Sequence, residues 1–260
     1  MQHFGSGRAK KSLGQHFLAD RSAIARIAAA IPEGADALEI GPGRGAITEA
    51  LLKRVGSLLL IEKDDDLAAM WKQRSESEAK LSLLHGDVMQ CLLPAVQEHD
   101  PAWIAGNLPY NISGPLSAML FSLKLAGGMV LMYQREVADR IAAEAGSKTY
   151  GGLSVLARHF YDVKRLLVLP PGAFSPPPKV HSAVLLFTPH GRLPACEFDA
   201  LQRIVRQGFA HRRKTISNNF RGDMTANDWL ALSIDPGTRP ERLDYPAWAR
   251  LATFLSLKTA

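Results

Sequence analysis

Five short apolar runs between residues 37 and 134 constrain this chain more than any other feature. They are ALEIG (37–41), SLLLIE (57–62), LSLLHGD (81–87), AWIAGNL (102–108) and GMVLMYQ (128–134). Each is short and bounded by turn or charged residues, so each reads as a buried strand. Amphipathic stretches such as 44–54 and 64–74 lie between them, and a helical pattern follows at 135–145. Strands alternating with helices predict a mostly parallel sheet covered on both faces. Two further strands are expected near 160–169 and 182–188, joined by the proline-rich LPPGAFSPPPKVHS. A parallel pair needs a longer crossover, so these two are expected as an antiparallel hairpin at the sheet edge. TPHGRLPACEF (188–198) breaks the pattern, and only helical periodicity follows it. The expected organisation is an α/β domain over 1–190 and a small all-α domain over 191–260.

The chain has 260 residues, 47% of them hydrophobic and 22% charged, which is the composition of an ordinary globular protein with a sizeable core. No run approaches the roughly 20 apolar residues of a membrane span. The basic N-terminus, Met1 to Lys11, is followed by no apolar stretch of a secretory signal. Cys91 and Cys196 fit no metal or redox spacing, so reduced thiols and a cytoplasmic location are expected. The net charge of +6 is unevenly placed. Residues 1–26 carry five basic side chains against Asp20, and residues 192–221 carry seven against Glu197 and Asp199. Two basic segments on a slightly acidic body point to a polyanion partner, nucleic acid above all, although basic runs are also common as solvated faces.

LEIGPGRGAIT (38–48) is a strand, a glycine-rich turn and a helix start. Gly41, Gly43 and Gly45 allow a tight turn and a close ligand approach, and first βα turns of this kind bind nucleotides. Glu39 reads equally well as a structural acid at the strand end. Glu62, 19 residues past Gly43, ends the second strand, where a carboxylate can accept ribose hydroxyls. Asp87 closes the third, where it can accept from an adenine amino group. Each acid alone could be a helix cap or a surface charge; together at successive strand ends they point to an adenosine-containing cofactor. The turn reads G-P-G-R-G rather than the pyrophosphate fingerprint G-x-G-x-x-G, which disfavours NAD. S-adenosylmethionine, with no phosphates, fits better.

GNLPYNIS (106–113) ends the fourth strand beside the same crevice. The exocyclic amine of adenine is a poor nucleophile because its lone pair is delocalised into the ring. The Asn107 amide oxygen and the Leu108 carbonyl can accept its two hydrogens and free that lone pair. The Tyr110 ring can stack on the flipped base, and Pro109 stiffens the path between them. This is positioning chemistry and calls for no separate strong base. An ordinary Asn-Pro turn with a packed tyrosine is the competing reading.

KKSLGQHFLAD, EIGPGRGAIT, GDV, GNLPYNIS and AFSPPPKVHSAV together resemble the ribosomal RNA adenine N6,N6-dimethyltransferase family, from about Lys10 to RPERL near the C-terminus. The resemblance implies a Rossmann-like class I methyltransferase sheet, S-adenosylmethionine as cofactor and no metal. It implies cofactor contacts at Gln15, His16, Leu18, Gly41, Gly43, Glu62, Asp87 and Asn107. His16 stands where the family often has Asn, so a backbone contact is expected there before a side-chain one. Catalytic roles fall to Asn107, Leu108 and Tyr110, and Phe174 is the aromatic that sandwiches the base opposite Tyr110; from the residues alone a core plug is the competing reading of Phe174. The implied reaction is dimethylation of two adjacent adenines in a 3′-terminal hairpin loop of small-subunit (16S) rRNA, on an assembling subunit, by a monomer. Lys10, Lys11, Arg203, Arg206, Arg212, Arg213, Lys214 and Arg221 are then expected to dock RNA phosphates.

Other classes fit less well. A dehydrogenase leaves NLPY unexplained, and a DNA adenine methyltransferase is expected to carry Asp-Pro-Pro-Tyr or a close variant. A purely RNA-binding assembly factor has no need of the amide at residue 107. Large-subunit rRNA methyltransferases share the glycine and NLPY-like motifs, but the F-S-P-P-P-K-V-H-S form favours the small-subunit branch. Histidines 85, 159, 181 and 211 have no partner at ligand spacing and read as core or surface residues.

Overall fold

The structure, a computed structural model, describes residues 15–259; Lys10 and Lys11, expected to touch RNA, lie outside the described residues. In chain order the elements are β1 (Phe17–Leu18), α1 (Arg21–Ala29), β2 (Asp36–Ile40), α2 (Thr48–Leu51), β3 (Ser57–Glu62), α3 (Asp65–Ser75), β4 (Leu81–His85), α4 (Val88–His99), β5 (Trp103–Asn107) and α5 (Ser113–Phe121). Then follow β6 (Gly128–Gln134), α6 (Arg135–Ile141), α7 (Gly152–Ala157), β7 (Tyr161–Leu169), β8 (Phe174–Ser175) and β9 (Ser182–Pro189). Four helices close the chain: α8 (Phe198–Gly208), α9 (Ile216–Asn219), α10 (Ala226–Ala231) and α11 (Tyr245–Thr259).

All five apolar runs are strands of one seven-stranded sheet, ordered β4-β3-β2-β5-β6-β9-β7. The pairs β4–β3, β3–β2, β2–β5 and β5–β6 are parallel, and β9 joins β6 antiparallel. Leu38, Leu58, Leu60, Ile104 and Met129 are fully buried, as strands covered on both faces require. Strand order reverses between β2 and β5, and at such a switch point the carboxyl ends of the strands diverge and leave a crevice.

The structure departs from the sequence reading in three local places. The stretch 44–54 holds only the single-turn helix α2, because Gly43 to Ile47 form the wide turn that borders the crevice. The helix expected over 135–145 stops at Ile141. The two-residue ladder β1–β8, with Phe17 opposite Ser175 and Leu18 opposite Phe174, was not legible, since two residues show no periodicity.

The chain separates into two compact units. The first takes residues up to Leu116 with Leu125–Ala138 and Lys164–Pro189; the second takes Ser117–Lys124, Asp139–Val163 and everything from His190. The boundary expected near residue 190 marks where the chain leaves the first unit for the last time. The second unit is larger than 191–260, because α7 packs against α8 and draws the segment around it into that unit. Its core holds Trp248 and Phe220, both fully buried, and Trp248 stacks on Phe209 with centroids 5.2 Å apart. His159 belongs to this core. Burial holds its imidazole down at about 4, Lys124 and His190 add to that, and its Nδ1 meets the Tyr245 hydroxyl at 3.1 Å.

Candidate active site

A crevice of about 340 Å³ opens at the carboxyl ends of β2, β3 and β5, within the range of small-molecule clefts. It is bordered by Gln15–Ala19, the turn from Gly41 to Ile47, Glu62, Lys63, Asp87, Val88 and Asn107–Ile112. The turn is shaped by its glycines. Gly43 has φ +57°, and a Cβ there would meet the Phe17 ring at 3.0 Å; Gly45 has φ +86°, and a Cβ would meet Trp71 at 2.7 Å. Trp71 is fully buried and its indole N–H donates to the Gly43 carbonyl at 2.9 Å. It props the turn from below. In the sequence Trp71 is only one apolar residue of an amphipathic helix, so nothing flagged this role.

Glu62 is almost wholly buried and accepts three backbone N–H groups. Gly43 N donates to Oε2 at 3.2 Å, and Lys63 N and Asp64 N donate to Oε1 at 2.9 and 2.8 Å. Burial raises its pKa against the lowering effect of those donors. The carboxylate thus fastens the glycine turn to the end of β3, and its remaining acceptor capacity lies on Oε2. Glu39, deeper in the crevice, is pushed up to about 8 by burial, the Thr48 hydroxyl opposing and Glu62 reinforcing the shift. Its Oε2 is buried without a hydrogen-bond partner.

Asp87 has a structural task as well as a place on the crevice wall. Its Oδ1 caps α4 by accepting from Met89 N at 2.9 Å, and its Oδ2 pairs with Lys63 Nζ at 2.8 Å. The Lys63 hydrogen bond and then the Met89 N–H hold its carboxyl below the usual range. Gln15 donates from Nε2 to Asp64 Oδ2 at 2.9 Å, which ties the N-terminal segment over β3; Asp64 in turn caps α3. Leu18 is buried against the crevice floor in β1.

Asn107, Leu108 and Tyr110 stand together on the crevice wall, as the NLPY reading requires. Asn107 Nδ2 donates to the His16 carbonyl at 2.9 Å, and its Oδ1 is buried with no partner. The Leu108 backbone N donates to the Met132 carbonyl at 3.2 Å, fixing the peptide path beyond β5. Tyr110 meets the buried Ser182 hydroxyl at 2.8 Å, and burial pushes its phenol up. Ser182 is a second residue that the sequence did not single out. Phe174, expected to face the base opposite Tyr110, packs in the hydrophobic core at 4% exposure in β8, opposite Leu18 and next to Ser175 on the crevice wall.

The basic residues divide as well. Arg203, Arg206, Arg213, Lys214 and Arg221 are exposed and pair with no carboxylate among the described residues. Arg212 instead donates to the carbonyls of Lys148 and Tyr150, bracing its loop. No three His, Cys, Asp or Glu side chains gather as a metal site among the described residues.

The family model described as ribosomal RNA adenine dimethylase matches residues 6–256. A ribosomal RNA small subunit methyltransferase A from Xanthomonas oryzae pv. oryzae (strain PXO99A) is 44% identical over 254 residues, covering 95% of this chain and 96% of its own. One of the same description from Coxiella burnetii (strain Dugway 5J108-111) is 38% identical over 252 residues, covering 95% and 98%. The crystal structure of a dimethyladenosine transferase from Plasmodium falciparum superposes with a TM-score of 0.78 at 25% identity, covering 94% of this chain and 98% of that one. The 23S rRNA methyltransferase ErmE shares the fold with a TM-score of 0.69 at 20% identity, covering 92% and 99%. A glycine turn tied to a buried acid, with an unpartnered amide oxygen across from it, thus sits in a chain that belongs to the ribosomal RNA adenine dimethylase family.

Proposed function

We propose that this chain dimethylates N6 of two adjacent adenines in the 3′-terminal hairpin loop of small-subunit (16S) rRNA, drawing on S-adenosylmethionine, during assembly of the small subunit. The observation that carries the reading is the Asn107 side chain. Its Nδ2 can only donate to the His16 carbonyl, which fixes the amide orientation and leaves Oδ1 as a buried acceptor on the crevice wall. A buried acceptor without a partner costs about 1–3 kcal/mol, which a ligand amine recovers on binding.

The crevice fits the cofactor by its donors and acceptors. Asn107 Oδ1 is an unpartnered acceptor suited to an amine or hydroxyl donor, and the Glu39 carboxyl, which burial keeps protonated at neutral pH, has an unpartnered Oε2 that can accept or donate. S-adenosylmethionine supplies a methyl group activated on a sulfonium. Glu62 Oε2 has capacity for a ribose hydroxyl, and Asp87 and Val88 border the adenine end. The backbone of Gln15 to Leu18 covers the ligand, and the turn at Gly41 and Gly43 admits it closely.

Toward the substrate, Asn107 Oδ1 and the Leu108 carbonyl accept the two N6 hydrogens. This withdraws the nitrogen lone pair from ring conjugation and aims it into the crevice. After transfer the nitrogen carries a proton that is acidic enough to pass to water. Arg203, Arg206, Arg213, Lys214 and Arg221 hold rRNA phosphates. The chain acts as a monomer in the cytoplasm, where small subunits are assembled. Incubating it with labelled S-adenosylmethionine and unmethylated small subunits, then mapping the product, tests the reading. Label at two adjacent adenines of the 3′ hairpin is expected; label only in large-subunit rRNA, or none, overturns it.

A further inference from the structure

We infer that the proline strap 176–181 seats the RNA backbone beside the flipped adenine: Lys179 takes a phosphate flanking the target nucleotide, and Val180 lies under its sugar. The inference rests on the adenine-N6 reading above. It gives a positioning role to PPPKVH, a stretch that does not border the cofactor crevice.

Both ends of the strap are fastened to the site. At one end Ser175 borders the crevice and pairs with Phe17, and the Pro176 carbonyl accepts from His16 Nδ1 at 3.0 Å. At the other the His181 carbonyl accepts from Arg135 N at 2.9 Å, and the next residue, Ser182, meets the Tyr110 hydroxyl at 2.8 Å. Pro178 is buried between these ends, and three successive prolines fix φ along the run. Beyond Pro178 the strap exposes Lys179, Val180 and His181, with Val180 at 43%. Lys179 pairs with no carboxylate among the described residues.

A base drawn into a pocket leaves its sugar and phosphates at the mouth, so a cation held at the rim meets them. Lys179 stands three residues before Ser182, a span of at most roughly 11 Å along the chain, and so on the rim to which Tyr110 is bonded. An unpaired ammonium next to an exposed apolar side chain suits a sugar–phosphate unit, which sets an anion beside an apolar ring face. The prolines hold both groups in place before RNA arrives, so little chain entropy is lost on contact.

Single-turnover methylation of unmethylated small subunits, at saturating S-adenosylmethionine and saturating subunit, separates positioning from docking, because lost affinity no longer counts there. Lys179→Ala is expected to slow methyl transfer by about tenfold, and Lys179→Arg to keep most of the rate. Val180→Asp, which sets a carboxylate beside the same phosphate, is expected to be at least as slow as Lys179→Ala. Lys53 supplies the charge control, being exposed just ahead of the amino end of β3 and so at the opposite end of the sheet from the crevice. Lys53→Ala is expected to react at the wild-type rate. Thermal midpoints and cofactor affinity by calorimetry, unchanged in all four variants, show that fold and crevice are intact. A wild-type rate for Lys179→Ala or Val180→Asp overturns the inference. Lys179→Arg as slow as Lys179→Ala also overturns it, as does an equal loss in Lys53→Ala, which assigns the effect to net charge. If the wild-type chain methylates no small subunit, the adenine reading itself fails, and that control tells the two failures apart.

Discussion

Asn107 and His16 are joined by one hydrogen bond, from Nδ2 to a main-chain carbonyl at 2.9 Å, across 91 residues of sequence. That bond decides which end of the amide the crevice sees. Asn107→Ala removes the buried acceptor, and single-turnover methylation at saturating cofactor and subunit should fall by roughly a hundredfold, about 3 kcal/mol. Subunit affinity should hardly change, because the exposed basic residues carry it. A wild-type rate under these conditions excludes Asn107 from the chemistry.

In the proposed reading Tyr110 acts through its ring, and its hydroxyl holds that ring on Ser182. Tyr110→Ala should slow methylation strongly through lost stacking, about 1–3 kcal/mol. Tyr110→Phe keeps the ring but frees it from Ser182, an effect of about 1 kcal/mol, or roughly fivefold in rate. Ser182→Ala should reproduce the Tyr110→Phe rate. If Ser182→Ala is silent while Tyr110→Phe is slow, the hydroxyl works elsewhere.

Glu62 joins fold stability to cofactor affinity. Glu62→Gln places an NH₂ group among three backbone N–H donors, so one loses its acceptor. Both the thermal midpoint and S-adenosylmethionine affinity should drop, each by about 1–3 kcal/mol. Unfolding scans and calorimetry on the same preparation check this, and affinity lost without stability contradicts the bracing role.

Glu39 gives stability a pH dependence. Its carboxyl ionises at 4.5 ordinarily but at about 8 in the fold. Across that window the unfolded chain has released the proton that the folded chain keeps. The stability from neutral Glu39 is therefore complete below 4.5 and is lost as pH rises to about 8, on the order of 4–5 kcal/mol. Denaturant midpoints should fall from pH 5 to 8, and Glu39→Gln should make the fall shallower. Parallel curves for the two proteins would place the titration on another group.

Among the basic residues the prediction is a division of labour. Replacing Arg203, Arg206, Arg213, Lys214 and Arg221 should weaken subunit binding and reduce its salt slope by about 0.7–0.9 per lost phosphate contact. Arg212→Ala should instead lower stability by about 1 kcal/mol, since its guanidinium holds two backbone carbonyls. Filter binding over a salt series and unfolding scans distinguish the two effects.

The sequence by itself determined the strands, their alternation with helices and the family, because buried runs such as SLLLIE and motifs such as GNLPYNIS carry their physical reasons locally. It placed Glu62 and Asn107 at the ends of parallel strands, which the sheet order sets on either side of β2, where a crevice follows from topology. Tertiary structure alone decided how each group is used. The Gly43 donor on Glu62, the Lys63 partner of Asp87 and the Arg212 brace appear only once distant segments meet. Phe174 turns into the core because β8 pairs with β1, and His16 comes to lie on Tyr110 for the same reason. A two-residue ladder has no period to read. Its geometry is set by contacts more than 150 residues apart in sequence, as from His16 to Pro176, which no local pattern records.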